Sequence, residues 1–180
     1  MALKPGRDNQ ATFDISYFMY STGNRGGVVC TASGIEPGSG EAMDNASQRV
    51  EYAPNPSGRK PIGMLMNDVV NIDQSRQILN RSKDEVQIGD KVTLMRKGWA
   101  VTNFVPVAGV AGSPSGTNIP VDAFLGATGL IVTTNSNNTV SGLVLQYTAT
   151  VNDGFVYPKV GRFLSRVDHE GYSKVFIDLA

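Results

Sequence analysis

Turn-forming residues interrupt this chain at short intervals along most of its length, and their spacing limits the elements that it can form. Glycine occurs 20 times and proline 9 times in 180 residues, and clusters such as Gly23–Gly27 and Asn152–Gly154 separate short apolar runs. Runs of this length suit strands better than helices, which need an apolar stripe sustained over several turns. The sequence therefore predicts an all-β fold, a compact barrel or sandwich of short antiparallel strands with long loops rich in glycine and proline and an extended N-terminal arm.

Alternation of apolar and polar residues locates individual strands. Near the amino terminus, Phe13, Ile15 and Tyr17 fall on one face of an extended chain, which predicts a half-buried strand. Further on, two alternating runs flank Arg96–Gly98, and the glycine supplies the positive φ that tight turns favour. This pattern predicts a β-hairpin whose strands are Lys91–Leu94 and Trp99–Asn103.

The length of the chain limits the number of domains. A chain of 180 residues corresponds to one ordinary domain. We interpret residues 1–20 as an N-terminal arm or edge strand and residues 21–180 as a single β domain. Residues 105–120 are rich in glycine, proline and small side chains, so they form either a linker between two subdomains or one long surface loop.

Composition argues against several classes of function. Sixteen Lys+Arg balance sixteen Asp+Glu, so the chain lacks the basic excess of a dedicated nucleic-acid binder. No run approaches the ~18 uninterrupted apolar residues of a membrane span. One cysteine and one histidine exclude an internal disulfide framework and a zinc site built from several cysteines. We expect no direct contact with nucleic acid, no membrane contact, no metal and no cofactor.

Few residues in the sequence have the spacing of a catalytic site. Cys30 follows two valines and is better interpreted as a small buried apolar side chain than as a nucleophile. His169 lies in a turn pattern, where a solvated side chain is the better interpretation. The phosphate-binding glycine loop and the serine-hydrolase elbow are both missing from the sequence. These observations predict a protein that is not an enzyme and has no catalytic residues.

An aromatic cluster near the amino terminus is the strongest candidate for an interface. Two of the four aromatic side chains fall on each face of an extended strand, which a strand with one buried face would not need. Core packing and contact with another subunit remain equally good interpretations. The basic turn at Arg59 and Lys60, and the basic pair Arg96 and Lys97, could contact an acidic surface or could be plain solvated charge. The four aromatic residues are Phe13, Tyr17, Phe18 and Tyr20.

Several stretches of this sequence resemble structural proteins of tailed bacteriophages, notably phages of cyanobacteria. Within that group the chain is similar to the head decoration, or cement, proteins. The similarity runs from the amino terminus to about Asn103 and returns near the end of the chain. The stretches that carry it are Met1–Arg7 with the aromatic strand that follows to Tyr20, Pro61–Val70, Lys83–Asn103 and Val160–Ser165.

The resemblance implies a structural role outside catalysis. Proteins of this kind are made in the host cytoplasm and bind the outer surface of an expanded icosahedral capsid. They bridge neighbouring subunits of the major capsid protein against the pressure of packaged DNA, and self-association as a trimer, or as a dimer, is implied too. The aromatic cluster and the two basic pairs would then be interface residues. A tail or fibre protein of a phage is the alternative, and an enzyme or a glycan-binding β domain is a more distant one.

Overall fold

The all-β class is confirmed by a computed structural model, which describes residues 3–5, 11–32, 48–71, 85–114, 119–134 and 157–179 of the chain. The helical content of these residues is one short 3-10 turn, Ala127–Gly129. Within them, no helix is long and apolar enough to span a membrane. The strands are β1 (Leu3–Pro5), β2 (Thr12–Met19), β3 (Val28–Thr31), β4 (Arg49–Glu51), β5 (Pro61–Leu65), β6 (Asp68–Val70), β7 (Glu85–Gln87), β8 (Lys91–Thr102), β9 (Val121–Leu125), β10 (Ile131–Val132), β11 (Lys159–Phe163) and β12 (Ser173–Asp178).

Five strands close into a small barrel. They follow one another in the order β8, β2, β4, β3 and β5, and β5 pairs with β8 again through Met64 opposite Met95 and Leu65 opposite Leu94. The pairing of β2 with β4 is parallel, whereas the other four pairings are antiparallel. The cluster that we call the barrel core consists of Met19, Val29, Val50, Ile62, Leu65, Val69, Val92 and Leu94.

A second sheet extends from the same long strand. Strands β10, β9, β11 and β12 follow in that order and join β8, and β1 pairs with β8 as well. Beneath this sheet lies a larger apolar cluster that also takes in side chains from the barrel strands β3 and β5. We call it the second core; its buried members are Val28, Cys30, Ala53, Met64, Met95, Ala100, Val105, Ala123, Leu125, Ile131, Val160, Phe163, Val175 and Ile177.

The predicted hairpin at Arg96–Gly98 is wrong, because β8 runs through it as one strand of 12 residues. Strands on both sides hold this stretch extended, since Lys97 pairs with Thr12 of β2 and with Asp178 of β12. The register slips by one residue at Arg96, which makes a β-bulge, and Gly98 has a φ of +136° there. The glycine is therefore used in a bulge and not in a turn.

The bulge in β8 lets one strand contribute to two cores. On its amino-terminal side, Leu94 faces the barrel core, while the adjacent Met95 faces the second core. Beyond the bulge, Ala100 is buried in the second core as well. An unbroken strand shows alternate residues to opposite faces, so the extra residue is what shifts the alternation.

Residues 12–19, predicted from the sequence to belong to an N-terminal arm or edge strand, form an internal strand of the barrel. The stretch from 12 to 19 is β2, which pairs with β8 on one side and with β4 on the other. Because β2 lies between β8 and β4, it is needed to close the barrel. The side chain of its last residue, Met19, is fully buried in the barrel core. Removing residues 1–20 would therefore open the barrel, because one of its five strands would be lost.

The segment 105–120, predicted as a linker or a surface loop, is partly described, and residues 105–114 pack against the second sheet. Val105 is buried in the second core. The backbone N–H of Ile131 donates to the carbonyl of Phe104 at 2.8 Å, and that of Thr133 donates to the carbonyl of Gly112 at 2.8 Å. These contacts cover the edge of β10. The described part of the segment is thus a packed loop and not a linker between independent units, because both sheets share β8.

Gly161 on β11 provides a test of how closely the second sheet is packed. A Cβ at this position would overlap the carbonyl oxygen of Phe176 on β12. We expect Gly161→Ala to lower the free energy of unfolding by about 3 kcal/mol, because a backbone atom cannot move aside without breaking the strand pairing. Gly171→Ala is the matched control: Gly171 has a φ of +83° with open space around it, so the loss should be about 1 kcal/mol. If urea denaturation showed the same loss in the free energy of unfolding for Gly161→Ala and Gly171→Ala, the close approach of β11 and β12 at Gly161 would be contradicted.

Candidate interaction surface

The aromatic strand β2 carries a row of apolar side chains on the outside of the barrel, which we call the outer row. The register with β8 slips between Asp14 and Tyr17, so a second β-bulge lies in this strand. A bulge reverses the alternation of the residues that follow it. Odd-numbered residues face outward before the bulge and even-numbered residues after it. The outer row consists of Phe13, Ile15, Phe18 and Tyr20.

Three side chains of the outer row are more than half exposed. The exposed fractions are 51% for Phe13, 65% for Ile15 and 53% for Tyr20, and Phe18 is half-buried. Scattered apolar side chains are normal on a protein surface, but a contiguous row on one strand is characteristic of an interaction site. The row is therefore the strongest candidate for an interface among the predicted residues.

Two cations lie over rings of the outer row. The ammonium of Lys91 is 5.7 Å from the ring centre of Phe18, and the guanidinium of Arg49 is 5.5 Å from that of Tyr20. Such contacts attract the cation to the electron-rich face of the ring. The carboxyl-terminal end of the row thus combines aromatic surface with positive charge.

The carboxylate of Asp14 holds the bulge that creates the outer row. Its Oδ1 accepts hydrogen bonds from the backbone N–H of Ser16 at 2.9 Å and from the Ser16 hydroxyl at 2.6 Å. Its Oδ2 lies 3.6 Å from the guanidinium of Arg96. These hydrogen bonds, foremost that from the Ser16 hydroxyl, hold the pKa of Asp14 below its ordinary value of 3.8 despite partial burial.

Tyr17, predicted as a member of the aromatic interface, lies on the opposite face of the strand. It is half-buried and packs against the barrel core. The expectation that Phe13, Ile15 and Tyr17 share one face is therefore wrong, because the bulge intervenes between Ile15 and Tyr17. Of the two interpretations that the sequence left open, core packing applies to the inner side chains of β2. The outer side chains are exposed, and their contact with another subunit stays a prediction.

The basic pair at Arg59 and Lys60 lies away from the outer row, before the start of β5. Arg59 forms an ion pair with Glu51 of β4 and donates to the carbonyl of Thr31 at 3.4 Å. Lys60 is exposed. The guanidinium of Arg59 therefore links three barrel segments, and Lys60 is the more accessible charge of the pair.

The second basic pair, Arg96 and Lys97, lies inside β8 and not at a hairpin tip. Arg96 faces Asp14 as described above, and the ammonium of Lys97 is 3.6 Å from the carboxylate of Asp178 on β12. The two side chains point toward different neighbours, since β2 lies on one side of β8 and β12 on the other. The side chain of Arg96 therefore contacts the strand of the outer row, whereas the side chain of Lys97 contacts β12.

A groove of about 420 Å³ on the exposed face of the second sheet is a feature that sequence reasoning missed. Register partners align four side chains across β9, β11, β12 and β8, which we call the four-strand row: Asp122, Arg162, Phe176 and Trp99. The alternation Lys174, Phe176, Asp178 on β12 was the sequence pattern that could have revealed it. It places an aromatic ring between charged residues on the polar side of a strand. The groove is lined by Asp122, Lys159, Gly161, Arg162, Phe176 and Asp178.

Cations also cover the two rings of this face. The guanidinium of Arg162 lies 5.3 Å from the ring centre of Phe176, and the ammonium of Lys174 lies 3.2 Å from that of Trp99. Rings covered in this way do not offer a free face on which a sugar could stack.

The two candidates for nucleophilic or acid–base chemistry lie in different environments. Cys30 is buried in the second core, and this burial raises the pKa of its thiol. His169 is exposed in the turn between β11 and β12, where Asp168 accepts hydrogen bonds from the backbone N–H groups of Glu170 and Tyr172. In the described ranges, no three His, Cys, Asp or Glu side chains are grouped closely enough to hold a metal ion.

Comparison with known proteins adds no family assignment. No family model matches the chain, and no curated protein is significantly similar to it. The resemblance to phage decoration proteins therefore stays a prediction.

The role of Asp14 leads to a pH-dependent stability. The pKa of Asp14 in the folded protein lies below the ordinary 3.8. The ionised carboxylate therefore contributes fully to the free energy of unfolding above about pH 4, and this contribution is lost as the pH falls through the lowered pKa. We expect Asp14→Asn to lower the free energy of unfolding by about 1 kcal/mol at neutral pH. The difference from the wild type should shrink in acid. Ser16→Ala should weaken the same pH dependence, and identical pH profiles for the wild type and Asp14→Asn in urea denaturation would contradict this role.

Proposed function

We propose that this chain is a non-enzymatic structural protein of a phage virion that binds the outer surface of an icosahedral capsid. It would bridge neighbouring subunits of the major capsid protein and stabilise the shell against the pressure of packaged DNA. The observation that carries the proposal is the outer row of β2, which presents aromatic and aliphatic side chains outward from a closed barrel. The resemblance noted in the sequence points to the same role.

The chemistry of the outer row fits a protein partner. Aromatic side chains are enriched at the energetic centres of interfaces, because they bury a large area at a small cost in side-chain entropy. Lys91 and Arg49 lie over Phe18 and Tyr20, so the partner surface would be apolar opposite Phe13 and Ile15 and acidic at the other end. On a capsid, that partner would be the major capsid protein or a second copy of this chain, arranged as a trimer or a dimer.

Because the capsid lattice repeats the same binding site many times, weak binding at each site is enough to stabilise the shell. A protein that binds only the assembled shell lowers the free energy of that assembled state. If copies also associate with one another, their contacts act together and the complex becomes much tighter than one site alone. The formal net charge of zero keeps the repulsion between crowded copies small.

Quantitative mass spectrometry of purified phage particles that encode this chain tests the proposal first. We expect a copy number close to that of the major capsid protein, or one copy for every few of its subunits. A trace amount would instead favour the alternative, a tail or fibre protein, because such proteins occur in few copies per particle. Absence from the particles would contradict both virion roles.

Substitution of the outer row tests the surface itself. The double variant Phe13→Ser/Ile15→Ser removes two exposed apolar side chains and should weaken co-sedimentation with expanded shells by about a hundredfold, since burying each contributes about 1.5 kcal/mol. Val107→Ser is the matched control, because Val107 is 67% exposed and lies outside the row. Circular dichroism should show both variants folded. Unchanged binding of the double variant would contradict the assignment of this surface.

A further inference from the structure

We propose that the groove on the second sheet is a separate docking site for an extended acidic segment of a partner protein. The groove lies on β9, β11 and β12, whereas the outer row lies on β2, so the two surfaces belong to different strands. This inference does not depend on the virion role, because it rests on the charges and spacing of the groove and of Lys174 and Trp99, which lie beside it on the same face.

Two cations of this face are held in place without a carboxylate partner. Within the described residues, no carboxylate lies at ion-pair distance from Arg162 or Lys174, whose charged groups rest over the rings of Phe176 and Trp99. The carboxylate across from Arg162, that of Asp122, is 2.8 Å from the ammonium of Lys159. The rings restrict both cations before a ligand arrives, which reduces the side-chain entropy lost on binding.

The spacing of these cations matches an extended polypeptide. Phe176 pairs with Arg162, and Lys174 lies two residues before Phe176 on β12, so Arg162 and Lys174 are diagonal neighbours about 7 Å apart at Cβ. Alternate residues of an extended chain lie on one side and are also about 7 Å apart. Two acidic residues separated by one residue would therefore reach both cations at once. The planar guanidinium of Arg162 suits bidentate contact with a carboxylate.

The remaining charges on this face of the second sheet favour an extended polypeptide with two acidic residues over a polymer that is negatively charged at every unit. Asp122 and Asp178 line the groove beside Arg162, and they would repel a chain that carries a negative charge at every unit. Nucleic acids and sulfated glycans are chains of that kind. A polypeptide with two carboxylates can place neutral residues next to the aspartates.

The test uses Trp99, which is the single tryptophan of the chain and reports on its own site. A capped peptide with glutamates at alternate positions is titrated at low salt, while tryptophan emission and binding heat are followed. We expect binding with a change in emission, because the ligand competes for the ammonium that covers the indole ring. A peptide of the same composition with adjacent glutamates should bind more weakly, since its carboxylates point to opposite sides.

Variants assign the binding to the groove. Arg162→Gln and Lys174→Gln should each lower the affinity for the peptide by about tenfold, which is typical of a lost charge-assisted hydrogen bond. Arg166→Gln is the matched control, because Arg166 is exposed in the loop after β11 and neither lines the groove nor lies over Phe176 or Trp99. This variant should bind the peptide as the wild type does. The proposal is overturned if the peptide does not bind at millimolar concentration, if it binds Arg162→Gln as tightly as the wild type, or if a DNA oligonucleotide or heparin binds the groove more tightly.

Discussion

The fold depends on the bulge in β8, which allows one strand to belong to two apolar cores. Leu94 packs into the barrel and the adjacent Met95 into the second core, as alternation requires, and the bulge then keeps Ala100 on the same face as Met95. Without the extra residue at Arg96, the stretch that includes Ala100 would turn its buried side outward. The pairing of β12, and through it of β11 and β9, is built on that stretch. The groove with Arg162 and Phe176 lies on this sheet, so it depends on the same bulge.

A second bulge, in β2, sets the surface that we propose to contact a partner. The hydrogen bonds from Ser16 to Asp14 stabilise it, and the reversed alternation places Phe18 on the same face as Phe13. The same strand therefore closes the barrel with Met19 and presents a row of rings outside it. Stability and recognition are coupled in this strand, so point substitutions on its outer face separate them better than a deletion does.

The sequence predicted the class of the fold because turn residues and alternation are local features. It located the aromatic cluster of β2 for the same reason, but it left core packing and an interface open and placed Tyr17 on the same face as Phe13. Both errors in the strand pattern, at Tyr17 and at Gly98, come from bulges, whose positions depend on the partner strands. The alternation on β12 marks an aromatic ring on a polar strand face, but it does not show which strands lie beside it, because Trp99, Arg162 and Phe176 meet only through the pairing of distant strands. Asp122 of β9 is likewise brought next to Arg162 by strand pairing.

A cryo-electron microscopy map of a particle that carries this chain is the most direct measurement of the central claim. The account predicts density for the barrel on the outer surface of the capsid. In that density, Phe13, Ile15, Phe18 and Tyr20 should be buried against the major capsid protein or against a second copy of the chain. A map in which the barrel is on the shell but this row faces solvent would contradict the assigned surface. A shell without the barrel would contradict the decoration role itself.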